Sequence, residues 1–124
     1  MKRVVLAFGL IISLTGQCQE HLPLPERIVV TGVGSEPHQM TEACSSFTLD
    51  RKQVLAYFKT AIVIDAFEEH DHYAWAPCWV RGTALVKKQK VRWEIRAGLT
   101  ARIVFPNGEV VLLADPRQRF SEED

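Results

Sequence analysis

The sequence predicts an α+β domain in which one helix packs on an antiparallel sheet of four to five strands, in the order β-α-β-β-β-β. Three observations predict this fold. Residues 50–62 have apolar side chains at helical spacing, residues 91–97 alternate strictly between apolar and polar, and Asn107–Gly108 is a strong hairpin signal. A single helix lying across such a sheet would bury its apolar side against the apolar face of the strands.

Residues 1–18 have the three parts of a secretory signal peptide: the basic residues Lys2 and Arg3, an apolar run over 4–12, and an exit with small residues. The apolar run is far shorter than the ~20 residues that a spanning helix needs, so we expect no spanning membrane segment. Cys18 offers the alternative of a lipid anchor, but Gln17 stands where lipoprotein signals have a small residue. The chain is therefore expected to be periplasmic or secreted, with a single mature domain over residues 19–124.

The first strand is predicted over residues 27–33, after a linker that Pro23 and Pro25 keep irregular. A turn-rich loop over 34–46 leads to the helix, which begins at Asp50 because Gln53 completes a capping-box pattern with it. The apolar residues of the helix are expected to form one buried side, and the end of the helix is expected between residues 62 and 67. The apolar residues of the predicted helix are Val54, Leu55, Phe58, Ala61 and Ile62.

Residues 68–77 are predicted to be a connection without regular structure, first polar and then aromatic. Strands are then expected over 79–86, 91–97, 101–105 and 109–114, and the last two form the hairpin around Asn107–Gly108. Residues 115–124 are predicted to be a polar tail. Because Phe58 is central on the apolar side of the helix and Trp93 is central on the most regular strand, we expect both in one buried core.

Two cysteines remain after residues 1–18, and an even pair in a small exported domain predicts the disulfide Cys44–Cys78. Their Cα atoms should then lie ~4.4–6.8 Å apart. The alternative, Cys44 as a catalytic nucleophile, is disfavoured because a free thiolate would be oxidised outside the cytoplasm. No nucleophile elbow and no complete dinucleotide-binding glycine pattern occurs either. The sequence therefore predicts a protein that is not an enzyme, with no catalytic residue and no cofactor.

The charge of the mature domain bears on its partner. Without Lys2 and Arg3, 13 basic residues remain against 15 acidic ones, which is a net charge of −2. Such a balance lacks the basic surplus typical of nucleic-acid-binding domains. We expect a protein partner and no nucleic acid.

Three aromatic residues, Tyr73, Trp75 and Trp79, cluster around the second cysteine. Tyrosine and tryptophan dominate buried cores and also the energetic centres of interfaces, so both packing and partner binding are open interpretations. The functional hypothesis is that residues 70–79 form a protein-contact surface with these three as partner-binding residues. The protein would then be a non-catalytic binding protein, such as an inhibitor or immunity factor for a cell-envelope protein.

The alternative function is a small metal-binding protein or metal-dependent enzyme. His70 and His72 are two residues apart, so in an extended segment they could share a metal ion, and Glu68 could add a carboxylate ligand. Structural and catalytic zinc sites need three or four ligands, and the other histidines, His21 and His38, are distant in sequence.

The predicted order of a strand, a helix and four further strands resembles the cystatin architecture. The segment Cys78-Trp79-Val80-Arg81-Gly82 is similar to the second half of that family's Gln-x-Val-x-Gly motif, but a cysteine stands at the glutamine position. The segment also falls inside a predicted strand instead of a hairpin tip, so the resemblance implies a fold and no protease inhibition. A second pattern is similar to a set of small exported bacterial proteins of unknown function and implies no activity. It is Cys44-x-x-Phe47, Tyr57-Phe58, Pro77-Cys78-x-Val80-x-Gly82 and Trp93-x-Ile95.

Overall fold

A computed structural model describes residues 19–36 and 44–120 of the chain. The predicted signal peptide over 1–18, the alternative lipid anchor at Cys18 and the last four residues of the predicted tail lie outside the described residues. Within them the strands are β1 (Glu26–Ser35), β2 (Ile62–Ile64), β3 (Cys78–Val86), β4 (Gln89–Arg96), β5 (Thr100–Val104) and β6 (Val110–Ala114), and the helices are α1 (Arg51–Thr60) and α2 (Ala66–His72). All six strands form one open antiparallel sheet in the order β1-β3-β4-β5-β6-β2.

Helix α1 begins at the predicted capping box. The Gln53 N–H donates to Asp50 Oδ1 at 2.8 Å, and the Asp50 N–H donates to Gln53 Oε1 at 2.9 Å. The helix ends earlier than expected, at Thr60, because Ala61 takes extended dihedral angles. The β-branched run Ile62–Ile64 then pairs with β6 as β2, so the expected end between 62 and 67 is wrong.

The second helix was not expected, and its sequence signal repeats that of the first. Asp65 and Glu68 form another reciprocal capping box, and α2 runs on from it through residues 66–72. The predicted irregular connection over 68–77 is therefore wrong in its first half. The α+β class and the antiparallel sheet are confirmed, with six strands instead of four to five and two helices instead of one.

The strand register divides the sheet into two faces. Val91, Trp93 and Ile95 of β4 point toward α1, and we call this side the helix face. The alternate residues of β4 and their cross-strand partners form the other side, which we call the open face. On β3, β4 and β5 the open face consists of Trp79, Arg81, Thr83, Arg92, Glu94, Arg96, Thr100, Arg102 and Val104.

The main hydrophobic core lies between α1 and the helix face. Phe58 meets Trp93 edge to face, with ring centroids 6.2 Å apart, so the predicted common core is confirmed. The Trp93 Nε1–H donates to the Thr83 carbonyl at 2.9 Å across β3. A Cβ atom at Gly82 would collide with the Val29 carbonyl oxygen and with the Trp93 indole, so the close approach of these groups requires glycine at this position.

A smaller core lies on the open face, at the end of the sheet formed by β6 and β2. Tyr73, which directly follows α2, packs there on Ile62, Ile64 and Ala114. The paired strands β6 and β2 supply the floor of this core. As a result, the α2 region covers the β6–β2 end of the open face, and the part of the open face on β3, β4 and β5 lies beside it.

The predicted disulfide is confirmed. Cys44 and Cys78 are bonded with their Cα atoms 5.1 Å apart, and the bond joins the turn before α1 to the first residue of β3. Closing a loop of this length contributes ~3–4 kcal/mol in the chain-entropy treatment. An intramolecular disulfide is consistent with an oxidising compartment outside the cytoplasm. Across residues 19–36 and 44–120, neither helix has the length and apolar character needed to cross a membrane.

The beginning of the predicted polar tail is structured. Asp115 is buried and accepts from the Arg117 N–H at 3.0 Å, which starts a short 3-10 helix over Pro116–Gln118. The Phe120 N–H then donates to the His72 carbonyl at 2.9 Å. Residues 115–120 of the predicted polar tail are therefore structured, because a buried carboxylate and a backbone hydrogen bond hold them against the domain.

Candidate functional site

The open face carries two neighbouring cavities. The first, of about 370 Å³, lies beneath the loop over residues 73–77, and we call it the loop cavity. The second, of about 390 Å³, lies over the strands nearer to β1, and we call it the sheet cavity. Both volumes fall in the range of small-molecule and peptide-anchor sites. Glu94 and Arg102 line both cavities and therefore stand at the boundary between them.

Glu94 organises the centre of the open face. Its side chain is buried, at 7 % exposure, and both carboxylate oxygens are engaged. The Arg81 Nε–H donates to Oε1 at 2.8 Å, and the Arg96 Nε–H donates to Oε2 at 3.0 Å. Hydrogen bonds between charged partners are stronger than neutral ones, so this carboxylate fixes two guanidinium groups on the sheet.

Arg96 links the sheet to the loop above it. Its guanidinium donates to Glu36 Oε2 at 2.7 Å and to the Ala76 carbonyl at 3.0 Å. The same group lies 5.6 Å from the centre of the Trp75 ring, within the range of a cation–π contact. Trp75 is 63 % exposed. Its indole is thus an exposed aromatic surface that stands beside an arginine with a fixed position.

Trp79 is placed on the same face by packing from two sides. The Arg81 guanidinium carbon lies 3.6 Å from the centre of its ring. On the other side a Cβ atom at Gly34 would come within 2.5 Å of the indole, so the ring lies directly on the backbone of β1. Trp79 is half-buried as a result.

Tyr73 has a different environment from the two tryptophans. It is only 4 % exposed and belongs to the smaller core, and burial raises the pKa of its phenol. A buried ring offers little area to a partner. Of the three residues predicted to bind a partner, the structure brings Trp75 and Trp79 to the open face and places Tyr73 beneath the loop as its support.

The residues of the metal hypothesis do not converge. His70 and His72 lie on α2, where residues two apart point in nearly opposite directions, so the extended geometry that the hypothesis needs is absent. His70 pairs with Asp71, with 2.9 Å between Nδ1 and Oδ1, and the His72 ring packs edge to face on Phe67. The Glu68 carboxylate accepts the Asp65 N–H and is used as a helix cap. No group of three or more His, Cys, Asp and Glu side chains that could hold a metal occurs in the described part of the chain.

Sequence reasoning missed the arginines of the open face. The alternation over residues 91–97 carries a signal for them. Its apolar residues predict the buried side of the strand, and its polar residues, Arg92, Glu94 and Arg96, lie together on the other side. Their partners on β3 and β5 follow from the register, which a sequence alone does not give. No protein-family model matches the chain, and neither a curated protein nor a solved structure matches it.

Proposed function

We propose that the protein is a non-catalytic binding protein of the periplasm or the cell exterior, which holds a partner protein on the open face of its sheet. The observation that carries this proposal is the exposed indole of Trp75 beside the fixed guanidinium of Arg96. Tryptophan and arginine are the residue types most enriched among those that dominate binding energy. Here they stand together at the mouth of the loop cavity.

The rigidity of the site favours binding. Arg96 is held by Glu94, Glu36 and the Ala76 carbonyl, so its side chain has little freedom left to lose when a partner docks. The loop that carries Trp75 is anchored at one end by the buried Tyr73 ring and at the other by the disulfide at Cys78. A site ordered in advance avoids much of the entropic cost of association.

A small, rigid domain with a disulfide suits an inhibitor or immunity factor that occupies the site of a cell-envelope protein. Such proteins act by covering a surface of their target, so they need side chains that contact the target and no catalytic side chains. Two arginines of the open face, Arg81 and Arg96, are held in place by ion pairs with Glu94, an arrangement that supports geometric recognition. We found no observation that favours the metal-binding alternative over this function.

The test is capture of a partner by the immobilised mature domain from a cell-envelope extract of the source organism, followed by binding measurements with the purified partner. Trp75→Ala should weaken binding by ~30-fold or more, the effect of losing an interface residue worth at least 2 kcal/mol. Phe67→Ala is the matched control, because Phe67 is also a highly exposed aromatic residue but lies on α2 and does not line either cavity.

Far-ultraviolet circular dichroism and urea denaturation of both variants check the fold, which substitution of an exposed side chain should not affect. The proposal is supported when Trp75→Ala loses the partner and Phe67→Ala retains it. It is contradicted when Trp75→Ala binds as tightly as the parent, or when both variants lose the partner equally.

A further inference from the structure

The sheet cavity contains two arginines that form no ion pair with any other described residue. Arg92 and Arg102 both line it and are both exposed, and neither has a carboxylate within 4.0 Å in the described ranges 19–36 and 44–120. Arg102 lies directly opposite Glu94 in the register of β4 and β5. The two carboxylate oxygens of Glu94 accept from Arg81 and Arg96, and Arg102 forms no ion pair with Glu94.

The register of β4 and β5 brings two like charges close together. Arg92 and Arg102 are diagonal neighbours on adjacent strands, within reach of each other for side chains of this length. Like charges at such positions repel, and nothing in the packing of the core requires arginine at either one. Arg81 adds a third guanidinium to the same cavity, and Thr83, the cross-strand partner of Arg92, adds a hydroxyl. The cavity is therefore a cluster of hydrogen-bond donors with a local excess of positive charge.

We propose that the sheet cavity binds carboxylate groups of an acidic segment of the partner protein, with Arg92 and Arg102 as the residues that hold them. This inference rests on the proposed binding function and names the chemistry of the partner. A guanidinium offers two parallel N–H donors that match the two oxygens of a carboxylate. The cavity opens beside the Trp75 and Arg96 pair, because Glu94 and Arg102 line both cavities, so one partner can occupy both.

The electrostatics favour an acidic protein segment over a nucleic acid. The whole chain contains 15 basic and 15 acidic residues, so there is no general attraction for polyanions. Nucleic-acid-binding surfaces neutralise a row of phosphates with many cations along a stripe. Here Arg92 and Arg102 lie together in the sheet cavity with Glu94 beside them and form no extended stripe, which suits a few carboxylates.

The experiment is an NMR titration of the mature domain with a hexaglutamate peptide with blocked ends, observing the backbone amides and the arginine Nε–H groups. Inorganic phosphate and hexaglutamine are titrated in parallel. We expect saturable shifts at Arg92 and Arg102 with hexaglutamate, smaller effects with phosphate, and none with hexaglutamine. The double variant Arg92→Gln/Arg102→Gln should bind hexaglutamate at least about tenfold more weakly, because both charge-assisted contacts are lost.

The matched control is Arg51→Gln/Lys52→Gln, which removes the same charge from exposed positions on α1, away from the open face. This control should bind hexaglutamate like the parent. An equal loss in both double variants would show general charge attraction and overturn the inference. Phosphate binding without hexaglutamate binding would overturn it in favour of a small-oxyanion site, and a nucleic-acid partner in the capture experiment would overturn it too.

The two proposals fail separately. If Trp75→Ala loses its partner while hexaglutamate does not bind the parent, the binding function stands and the acidic chemistry is wrong. If hexaglutamate binds at Arg92 and Arg102 while Trp75→Ala retains its partner, the cavity is a carboxylate site and the proposed docking through Trp75 is wrong.

Discussion

Strand β4 belongs to both faces of the sheet, and its two sets of residues have opposite environments. Val91, Trp93 and Ile95 are almost completely buried under α1, where they contact only other apolar groups or, for the indole N–H, a backbone carbonyl. Arg92, Glu94 and Arg96 alternate with them on the open face, where Glu94 and Arg96 form an ion pair. Only Glu94 of these three is buried, and it lies between two guanidinium groups.

The contrast separates stability from recognition. Burying apolar side chains is the main favourable contribution to folding, so the helix face should account for most of the stability of this domain. Ion pairs at partly exposed positions contribute little to stability. Their presence on the open face is better explained by the positions that they fix, namely Arg81 on the Trp79 ring and Arg96 beside the Trp75 ring. Substitutions on the two faces of the same strand can test this separation.

The largest expected effect is on the helix face. Trp93→Ala should lower the free energy of unfolding by ~3–5 kcal/mol. The substitution removes a large buried ring, and α1 and the sheet cannot move together enough to fill the void that it leaves. Such a loss is a large share of the stability of a small domain. Arg92→Ala, one position earlier on the open face, should change it by no more than ~0.5 kcal/mol. Urea denaturation of both variants measures the difference, and comparable losses would show that the two faces do not differ in this way.

An intermediate effect is expected at the buried carboxylate. Glu94→Gln should lower the free energy of unfolding by roughly 1–2 kcal/mol, less than the ~3–5 kcal/mol of a fully buried pair, because Arg81 is partly exposed. Glutamine can accept from one guanidinium, but its amide N–H groups then face the other guanidinium, which also only donates. Glu109→Gln, at an exposed position in the β5–β6 turn, is the control and should be nearly neutral in the same denaturation experiment. A neutral Glu94→Gln would mean that the carboxylate does not fix the two arginines.

The contrast between the faces also explains which parts of the fold could be predicted from the sequence. Strand β4 and helix α1 were predictable because their apolar residues follow one clear period and meet a single core. Helix α2 has no buried residue of its own, so no apolar pattern marks it, and only the Asp65–Glu68 capping pattern signals its start. Strand β2 is only three residues long, and it is a strand because it pairs with β6. Such a long-range contact cannot be inferred from the periodicity of a short segment.

The candidate site was only partly predictable for a related reason. The tryptophans stand out by residue type, and the disulfide was predicted from the even pair of cysteines that follows the expected signal peptide. Arg81 and Arg102, in contrast, lie opposite Glu94 only because of the register in which β3, β4 and β5 pair. Charged residues on an exposed strand face normally indicate contact with solvent, and their arrangement around one carboxylate becomes visible only when the strands are aligned.

The smallest effect concerns the other buried carboxylate, Asp115, which lies at the end of β6 and has one partner instead of two. The side-chain hydrogen bonds of Arg117 hold the pKa of Asp115 below its ordinary value, although burial opposes this. A lowered pKa in the folded state means that the ionised carboxylate stabilises the fold at pH values above the ordinary aspartate pKa, near 4, and that this contribution is lost as the pH falls below it.

Asp115→Asn retains an oxygen that can accept the Arg117 N–H, removes the charge, and replaces the Oδ2 atom that accepts from Arg117 Nη2 with a nitrogen that only donates. At pH 7 the variant should be less stable than the parent by no more than ~1 kcal/mol, because the Arg117 side chain is 76 % exposed and solvent screens the pair. The difference in free energy of unfolding between parent and variant should shrink as the pH falls from 5 toward 2. Arg117→Gln should show the same convergence, since it removes the other charge of the pair. Urea denaturation at a series of pH values measures both differences; a difference independent of pH would show that the ion pair at Asp115 does not contribute to stability and that the carboxylate acts only as a helix cap.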